Sequence, residues 1–299
     1  MGPYLNRFSI RDLEEFSGVK AHTIRIWERR YGILDPDRTD TNIRSYGLDE
    51  LKTILNVAFL NRYGVKISRI AALSEKERER SVKELAEKQG GTDDALNALK
   101  LAMVSYDTGS FERTSAAYLE REGFRNLVER LYVPLLECIG LLWQSNAICP
   151  AQEHFASNLV RQKLIAAIDG LRPTAEGSGT VHVLYLPQDE IHELGLIYVH
   201  YLLKARGERV VFLGQSVPKA DLAQVVEQFS GPVRFISIFT AFPQSDSLST
   251  YLADLRKDMP DKRVSFLVTG SRVAAAQLSA TPPGVVVKAT FKELVAALF

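Results

Sequence analysis

From residue 181 onward, short apolar runs alternate with amphipathic stretches. Runs at 181–186, 209–213, 235–239, 264–268 and 285–288 have the length and β-branched content of buried strands. The segments 194–204, 219–229, 247–257 and 272–278 between them, and a last one at 292–298, carry helical periodicity. Strands that are apolar throughout, rather than at every second position, are covered on both faces, so a parallel, doubly wound α/β sheet is predicted. Five such units suit the flavodoxin-like arrangement, whose ligand site lies outside the strand ends, between the first and third strands. Upstream, apolar residues recur every three or four positions through Leu96, Leu99 and Met103, then Phe111, Ala117 and Leu119, then Leu127 to Leu142, then Phe155 to Ile168. These predict a four-helix bundle, with Pro134 kinking or breaking the third helix.

The first 75 residues read as a smaller α unit. Ser9, three residues before Asp12, forms a capping arrangement that starts one helix, and Gly18 supplies the turn that ends it. A second helix over 21–30 completes a helix-turn-helix. Turn-rich residues 31–40 then lead through Ile43-Arg44-Ser45-Tyr46 as a small β-wing, with further helices from Leu48 and over 67–73. Residues 74–91 are almost all charged and polar, a surface helix ending in a flexible joint at Gly90-Gly91-Thr92. The fold class is thus multidomain α and α/β. The expected domains are a winged helix-turn-helix (1–75), a linker helix and joint (76–92), a four-helix bundle (93–171) and, after a Gly- and Pro-rich linker, a doubly wound sheet (180–299).

Composition changes this picture in three places. With 299 residues and a hydrophobic fraction of 46%, the chain has ample material for packed cores. No apolar run approaches the ~20 residues of a membrane span, and the first residues lack the apolar core of a signal peptide, so a cytosolic chain is expected. Its two cysteines, Cys138 and Cys149, have no metal-site spacing and are expected to fill small apolar niches. The net charge of +1 hides a concentration of arginines between Arg25 and Arg44.

That local excess gives the N-terminal unit its candidate chemistry. Thr23, Arg25, Trp27, Arg30 and Tyr31 on or beside the second helix supply hydroxyl, guanidinium and aromatic groups for a DNA groove. Arg38, Arg44 and Tyr46 on the wing are placed for the sugar-phosphate backbone. In the α/β unit, Glu190-Ile191-His192-Glu193-Leu194-Gly195 leaves the first strand and opens a helix. A histidine there can bind a metal, and Gly195 leaves the backbone bare for a large planar ligand. Of the other histidines, His182 and His200 read as structural. In the bundle, Trp143 followed by Glu153 and His154 reads equally well as a core tryptophan with a helix-capping acid, or as one flat and two polar groups gathered for a ligand.

Residues Thr23 to Tyr31, Leu34 to Thr39 and Arg44-Ser45-Tyr46, with Asp49 and Leu51, resemble the DNA-binding domain of MerR-type transcription regulators. Ile26-Trp27-Glu28 is similar to the subgroup with cobalamin-binding sensors, the CarH/LitR-like light-responsive repressors. The resemblance implies winged-helix binding to promoter DNA by paired subunits. Trp143 followed ten residues later by Glu153-His154 resembles that group's helical cap over the upper face of the corrin. Glu190, His192 and Gly195, then Ser237, then Gly270, resemble the motif of domains that hold cobalamin with its own base displaced. By that resemblance His192 is the lower ligand of cobalt, Glu190 fixes its tautomer, and Ser237 with the Gly270 backbone lines the slot for the displaced nucleotide tail. Three positions depart from the pattern: Glu190 for aspartate, Ser271 for a second glycine, and Gln144 where light-responsive relatives carry a histidine.

The expected function is a DNA-binding repressor, not an enzyme, controlled by cobalamin held between bundle and sheet, with adenosylcobalamin and light as the natural pair. Methylcobalamin is the alternative form. A second reading keeps the DNA-binding part and gives control to a protein antirepressor without cofactor. A third, a corrinoid carrier of a methyltransferase, is opposed by the DNA-binding segment. Promoter DNA and further copies of the chain, as a dimer or tetramer, are the expected partners, with no membrane.

Overall fold

The computed structural model describes residues 7–38, 42–89, 91–144, 147–172, 179–243, 247–276 and 280–298. Contacts divide the chain into two compact units, Met1–Asn158 and Leu159–Phe299. Among the described residues no helix is long and apolar enough to cross a membrane.

In the first unit α1 (Ile10–Ser17) starts as expected. Ser9 Oγ accepts from the Asp12 N–H and Asp12 accepts from the Ser9 N–H, and the helix ends at Gly18, whose φ of 71° only glycine adopts without strain. The next helix, α2 (Ala21–Tyr31), lacks a capping side chain of its own. Glu14 on α1 serves instead, accepting from the Ala21 N–H (2.9 Å) and from Lys20 Nζ (2.9 Å), which sets the angle between the two helices. Two short strands, β1 (Asp37–Arg38) and β2 (Arg44–Ser45), pair antiparallel where the wing was expected. Then α3 (Leu48–Arg62), α4 (Ile67–Ala71) and α5 (Glu75–Gln89) follow.

The second half of this unit contains α6 (Thr92–Val104), α7 (Thr108–Asn126), a π-helical segment (Leu127–Tyr132), α8 (Val133–Gln144) and the start of α9 (Pro150–Asp169). Pro134 lies just after the π segment, whose wider turn accommodates the missing N–H and the ring at the start of α8. The flexible joint expected before α6 is instead pinned at Gly91. Asp94, buried, accepts from the Gly91 N–H (2.9 Å), from Tyr63 Oη (2.5 Å) and from Arg62 (3.4 Å), so the end of α3 is tied to the start of α6. Nothing in the residue order pointed to this lock, because Asp94 meets Tyr63 and Arg62 only in three dimensions.

The second unit is the predicted sheet. Strands β3 (Val181–Pro187), β4 (Arg209–Val217), β5 (Val233–Ile238), β6 (Val264–Thr269) and β7 (Val285–Val287) are parallel in the order β4-β3-β5-β6-β7. Helices α10 (Leu194–Ala205), α11 (Lys219–Glu227), α12 (Leu248–Asp258), α13 (Ser271–Ala275) and α14 (Phe291–Ala297) connect or follow them. Alternate residues feed two cores. Val183, Tyr185, Phe235 and Phe266 pack with Leu222, Leu252 and Leu255 of α11 and α12, while Leu184, Ile236 and Leu267 pack with Leu196, Val199 and Leu294 of α10 and α14. Burying each such side chain stabilises the fold by about 1.5–3 kcal/mol, which is why the strands read as continuous apolar runs. His182 is buried and His200 stacks on Phe212 (5.1 Å between centroids), so both are structural as expected. Cys138 and Cys149 are only partly buried. Cys149 Sγ lies 3.5 Å from Tyr106 Oη, a polar contact in place of the expected apolar niche.

Replacing Asp94 with alanine leaves the Tyr63 hydroxyl and the Gly91 N–H without their acceptor. It is expected to destabilise the first unit by about 2 kcal/mol, read as a lower denaturation midpoint, whereas a change at exposed Asp93 should cost little.

Candidate functional site

Two places gather functional side chains, one in each unit. On α2 the exposed residues are His22, Arg25, Ile26, Arg29 and Arg30, a spacing of three and four that forms a single helical face. Three arginines on this face surround Ile26, which is 49% exposed. Arg30 lies over the Tyr31 ring, 5.5 Å from its centroid. At the hairpin, exposed Arg38 donates to Asn42 Oδ1 (2.6 Å), beside Ile43 at 63% exposure. Thr23 is half-buried.

The remaining sequence candidates turn inward. Trp27 is 8% exposed and Tyr46 fully buried, so both belong to the core and neither can reach DNA. Tyr46 pairs with Phe8 through backbone bonds of 2.8 and 2.9 Å. Its hydroxyl donates to Glu28 Oε2 (2.9 Å), and burial together with that carboxylate raises its pKa far above the ordinary phenol value. Arg44 Nε donates to Glu28 Oε1 (2.9 Å) and is half-buried. The expected phosphate contacts Arg44 and Tyr46 therefore form a strut that fixes the hairpin to α2. A helical-wheel reading would have found Ile26 and Arg29; residue type alone favoured Trp27 and Tyr46.

In the second unit the turn after β3 is organised by one carboxylate. Glu190 is fully buried. Its Oε1 accepts from the N–H groups of Ile191 (3.0 Å) and His192 (3.0 Å) and from His192 Nδ1 (2.5 Å). Its Oε2 accepts from the N–H groups of Thr240 (2.9 Å), Ala241 (2.6 Å) and Phe242 (3.0 Å), in the loop that leaves β5. Burial alone would raise the Glu190 pKa. The hydrogen bonds from His192, Phe242 and Ala241 outweigh it and hold the group down at about 2. The ionised carboxylate can only accept, so the proton lies on His192 Nδ1 and Nε2 is the nitrogen that would take a metal. The histidine side chain is 53% exposed.

Neighbouring groups hold this turn from two further sides. Ser216 Oγ accepts from the Asp189 N–H (3.1 Å), the Ser216 N–H donates to Glu190 O (3.2 Å), and Gln215 Nε2 donates to Ile191 O (3.1 Å). Glu193, buried, accepts from Arg161 Nε of α9 at 2.7 Å. Sequence reasoning assigned no role to Arg161 or Glu193, since nothing in their spacing pairs them.

Other expected cofactor contacts differ from the expectation. A methyl on Gly195 would lie 3.0 Å from Ile238 Cδ1 and 3.3 Å from the Phe291 ring, so this glycine serves internal packing of α10. Ser237 is fully buried and donates to Tyr185 O (2.8 Å), and the partly buried Gly270 is in backbone contact with Phe239. Glu153 and His154 sit on α9 with His154 Nδ1 2.6 Å from Glu153 Oε2. The cap of α9 is neither of them but buried Gln152, whose Oε1 accepts from the Cys149 N–H (3.1 Å) while its Nε2 donates to Val104 O (3.1 Å). The side chains of Trp143 and Gln144 lie outside the described residues.

The family description of MerR HTH family regulatory proteins matches residues 8–77, and that of the B12 binding domain matches residues 95–167. The HTH-type transcriptional repressor CarH of Myxococcus xanthus is 30% identical over 265 residues, which cover 85% of this chain and 85% of CarH. The chain belongs to the CarH family of MerR-type regulators. CarA, a second HTH-type transcriptional repressor of that organism, is 29% identical over 256 residues, covering 84% of this chain and 83% of CarA. The monomethylamine corrinoid protein of Methanosarcina barkeri is 13% identical with a TM-score of 0.56, covering 70% of this chain and 98% of its own. That likeness is one of fold. For this CarH-family chain the carrier reading therefore falls away, since its relatives over most of the length are repressors.

Glu190→Ala would leave six donors in two loops without their common acceptor. A loss of about 3 kcal/mol or more is expected for the second unit, measured by chemical denaturation. Arg161→Ala, on the half-exposed partner of Glu193, should change stability far less.

Proposed function

We propose that this protein is a transcription repressor whose hold on promoter DNA is controlled by a cobalamin-type corrinoid ligated at His192. The observation that carries the reading is the His192–Glu190 pair: a half-exposed imidazole at the switch point of the sheet, with Nδ1 held by a buried ionised carboxylate. That is the arrangement that raises the basicity of Nε2 toward a metal and fixes its tautomer. Membership of the CarH family and the match to the B12 binding domain support it.

On the DNA side, the face of His22, Arg25, Ile26, Arg29 and Arg30 enters the major groove as the recognition surface of a winged helix-turn-helix. Arg25 and Arg29 meet phosphate or guanine, and Ile26 offers an apolar surface to a thymine methyl. Arg38 at the hairpin tip contacts the backbone. Glu28 holds the hairpin against α2 through Arg44 and Tyr46. Paired subunits, as a dimer or tetramer, occupy repeated half-sites.

On the corrinoid side, His192 would hold the metal and Glu190 keeps its ring in place. Glu153, His154 and Trp143 contribute from the helical cap. When bound, the corrinoid would supply a cobalt centre whose ligand can be exchanged. The chain would convert corrinoid binding into regulation only through a difference in affinity between its DNA-competent and incompetent forms. A protein antirepressor acting on the same equilibrium is compatible with this scheme.

Arg25→Ala and Arg29→Ala should each weaken binding to the operator and to unrelated DNA, lowering the salt slope by about 1 per arginine. Trp27→Ala should instead lower the melting temperature. Band shifts with adenosylcobalamin-loaded protein, in the dark and after green light, test the control: equal DNA binding with cofactor, without it and after light would overturn it.

A further inference from the structure

A corrinoid ligated by a protein histidine must place its own nucleotide tail somewhere, and the described loops at the strand ends beside His192 are in close contact with one another. Three observations coincide there. First, the loops leaving β5 and β6 are clasped together. Ser271 Oγ donates to Thr240 O (2.8 Å), Arg272 Nε to Ala241 O (3.0 Å) and the Arg272 N–H to Phe239 O (3.0 Å). Secondly, their backbones touch: a methyl on Gly270 would lie 2.2 Å from Phe239 O, so not even a Cβ fits between them. Thirdly, the sheet face beneath is filled by aromatic side chains. Tyr185 is fully buried against Phe235 (5.8 Å between centroids), its hydroxyl 3.5 Å from that of Tyr251, whose ring meets Phe239 at 5.7 Å. Ser237, on this face, spends its hydroxyl on Tyr185 O.

The same loop is pinned from the opposite side. Thr240, Ala241 and Phe242 give their N–H groups to Glu190, while the Thr240 and Ala241 carbonyls take Ser271 and Arg272. Inserting an aromatic base with its ribose and phosphate would break the clasp and expel a packed tyrosine cluster. The Ser271–Thr240 bond is exposed and the Arg272–Ala241 bond part-buried, and the loss of either without a replacement opposes that entry.

We infer that this site selects its corrinoid by the absence of an inserted nucleotide, taking a tail-less corrinoid of the cobinamide class in preference to complete cobalamin. The inference rests on the corrinoid reading above. Ser271 and Arg272 are its specificity residues: they bar the tail without touching the ring's lower ligand. Complete cobalamin has two costlier routes, opening the clasp or keeping its own base on cobalt and forgoing His192.

Visible-absorption titrations of the full chain with aquocobinamide and with hydroxocobalamin test this directly. Cobinamide should bind at least about tenfold more tightly, with a spectral shift from imidazole ligation that His192→Ala abolishes. The double variant Ser271→Gly, Arg272→Ala should narrow the gap by strengthening cobalamin binding about tenfold, with cobinamide binding unchanged. Hydroxocobalamin bound by the wild-type chain as tightly as cobinamide, through His192, overturns the selectivity while leaving the corrinoid reading intact. A folded wild-type chain that binds neither, judged by its circular dichroism, overturns the corrinoid reading itself.

Discussion

The loops at the strand ends of the second unit depend on one fully buried carboxylate. Glu190 brings its carboxylate into the gap between the turns that follow β3 and β5, where it accepts from both. A buried charge is tolerated only when its hydrogen-bonding capacity is filled, and here backbone N–H groups and an imidazole fill it. The exchange is mutual, because those N–H groups have no strand to pair with past the ends of the sheet. The geometry that stabilises the loops is thus the same geometry that presents His192.

A glutamate plays a related part in the first unit. Glu28 gathers Arg44 and Tyr46 and so sets where the hairpin stands relative to α2. The groups held by these two acids are the ones that residue type marks as ligands for DNA or metal. In one case the acid uses them up as structure, as with Tyr46. In the other it orients a ring that stands partly in solvent, that of His192. The distinction lies in burial: Tyr46 is enclosed, whereas the His192 ring stands half in solvent.

The clasp between the β5 and β6 loops gives the site a further character. Ser271 stands where the family pattern has a second glycine, and its hydroxyl donates to Thr240 O. Arg272 doubles the contact. One hydroxyl in a sequence pattern thereby becomes a closure once its acceptor, a carbonyl more than thirty residues away, is brought opposite it.

Periodicity by itself determined the sheet, its parallel order and nearly all helix positions, because burial on both faces of a strand and one face of a helix leaves a direct mark on residue order. Local capping was equally legible at Ser9 and Gly18, whose partners lie within a turn. The motif around Glu190 and His192 identified the pair that the structure brings to 2.5 Å, since two residues apart on one turn is a short-range relation. What the order of residues did not carry were relations between distant ones. Only the tertiary structure decided that Trp27 and Tyr46 face the core, that Asp94 locks α6 to α3, that Arg161 meets Glu193, and that Ser237 donates to Tyr185 O and Ser271 to Thr240 O. Each of these depends on which surface a side chain finds opposite it after the chain has folded, and a polar or aromatic residue is chemically the same whether that surface is a ligand or its own protein.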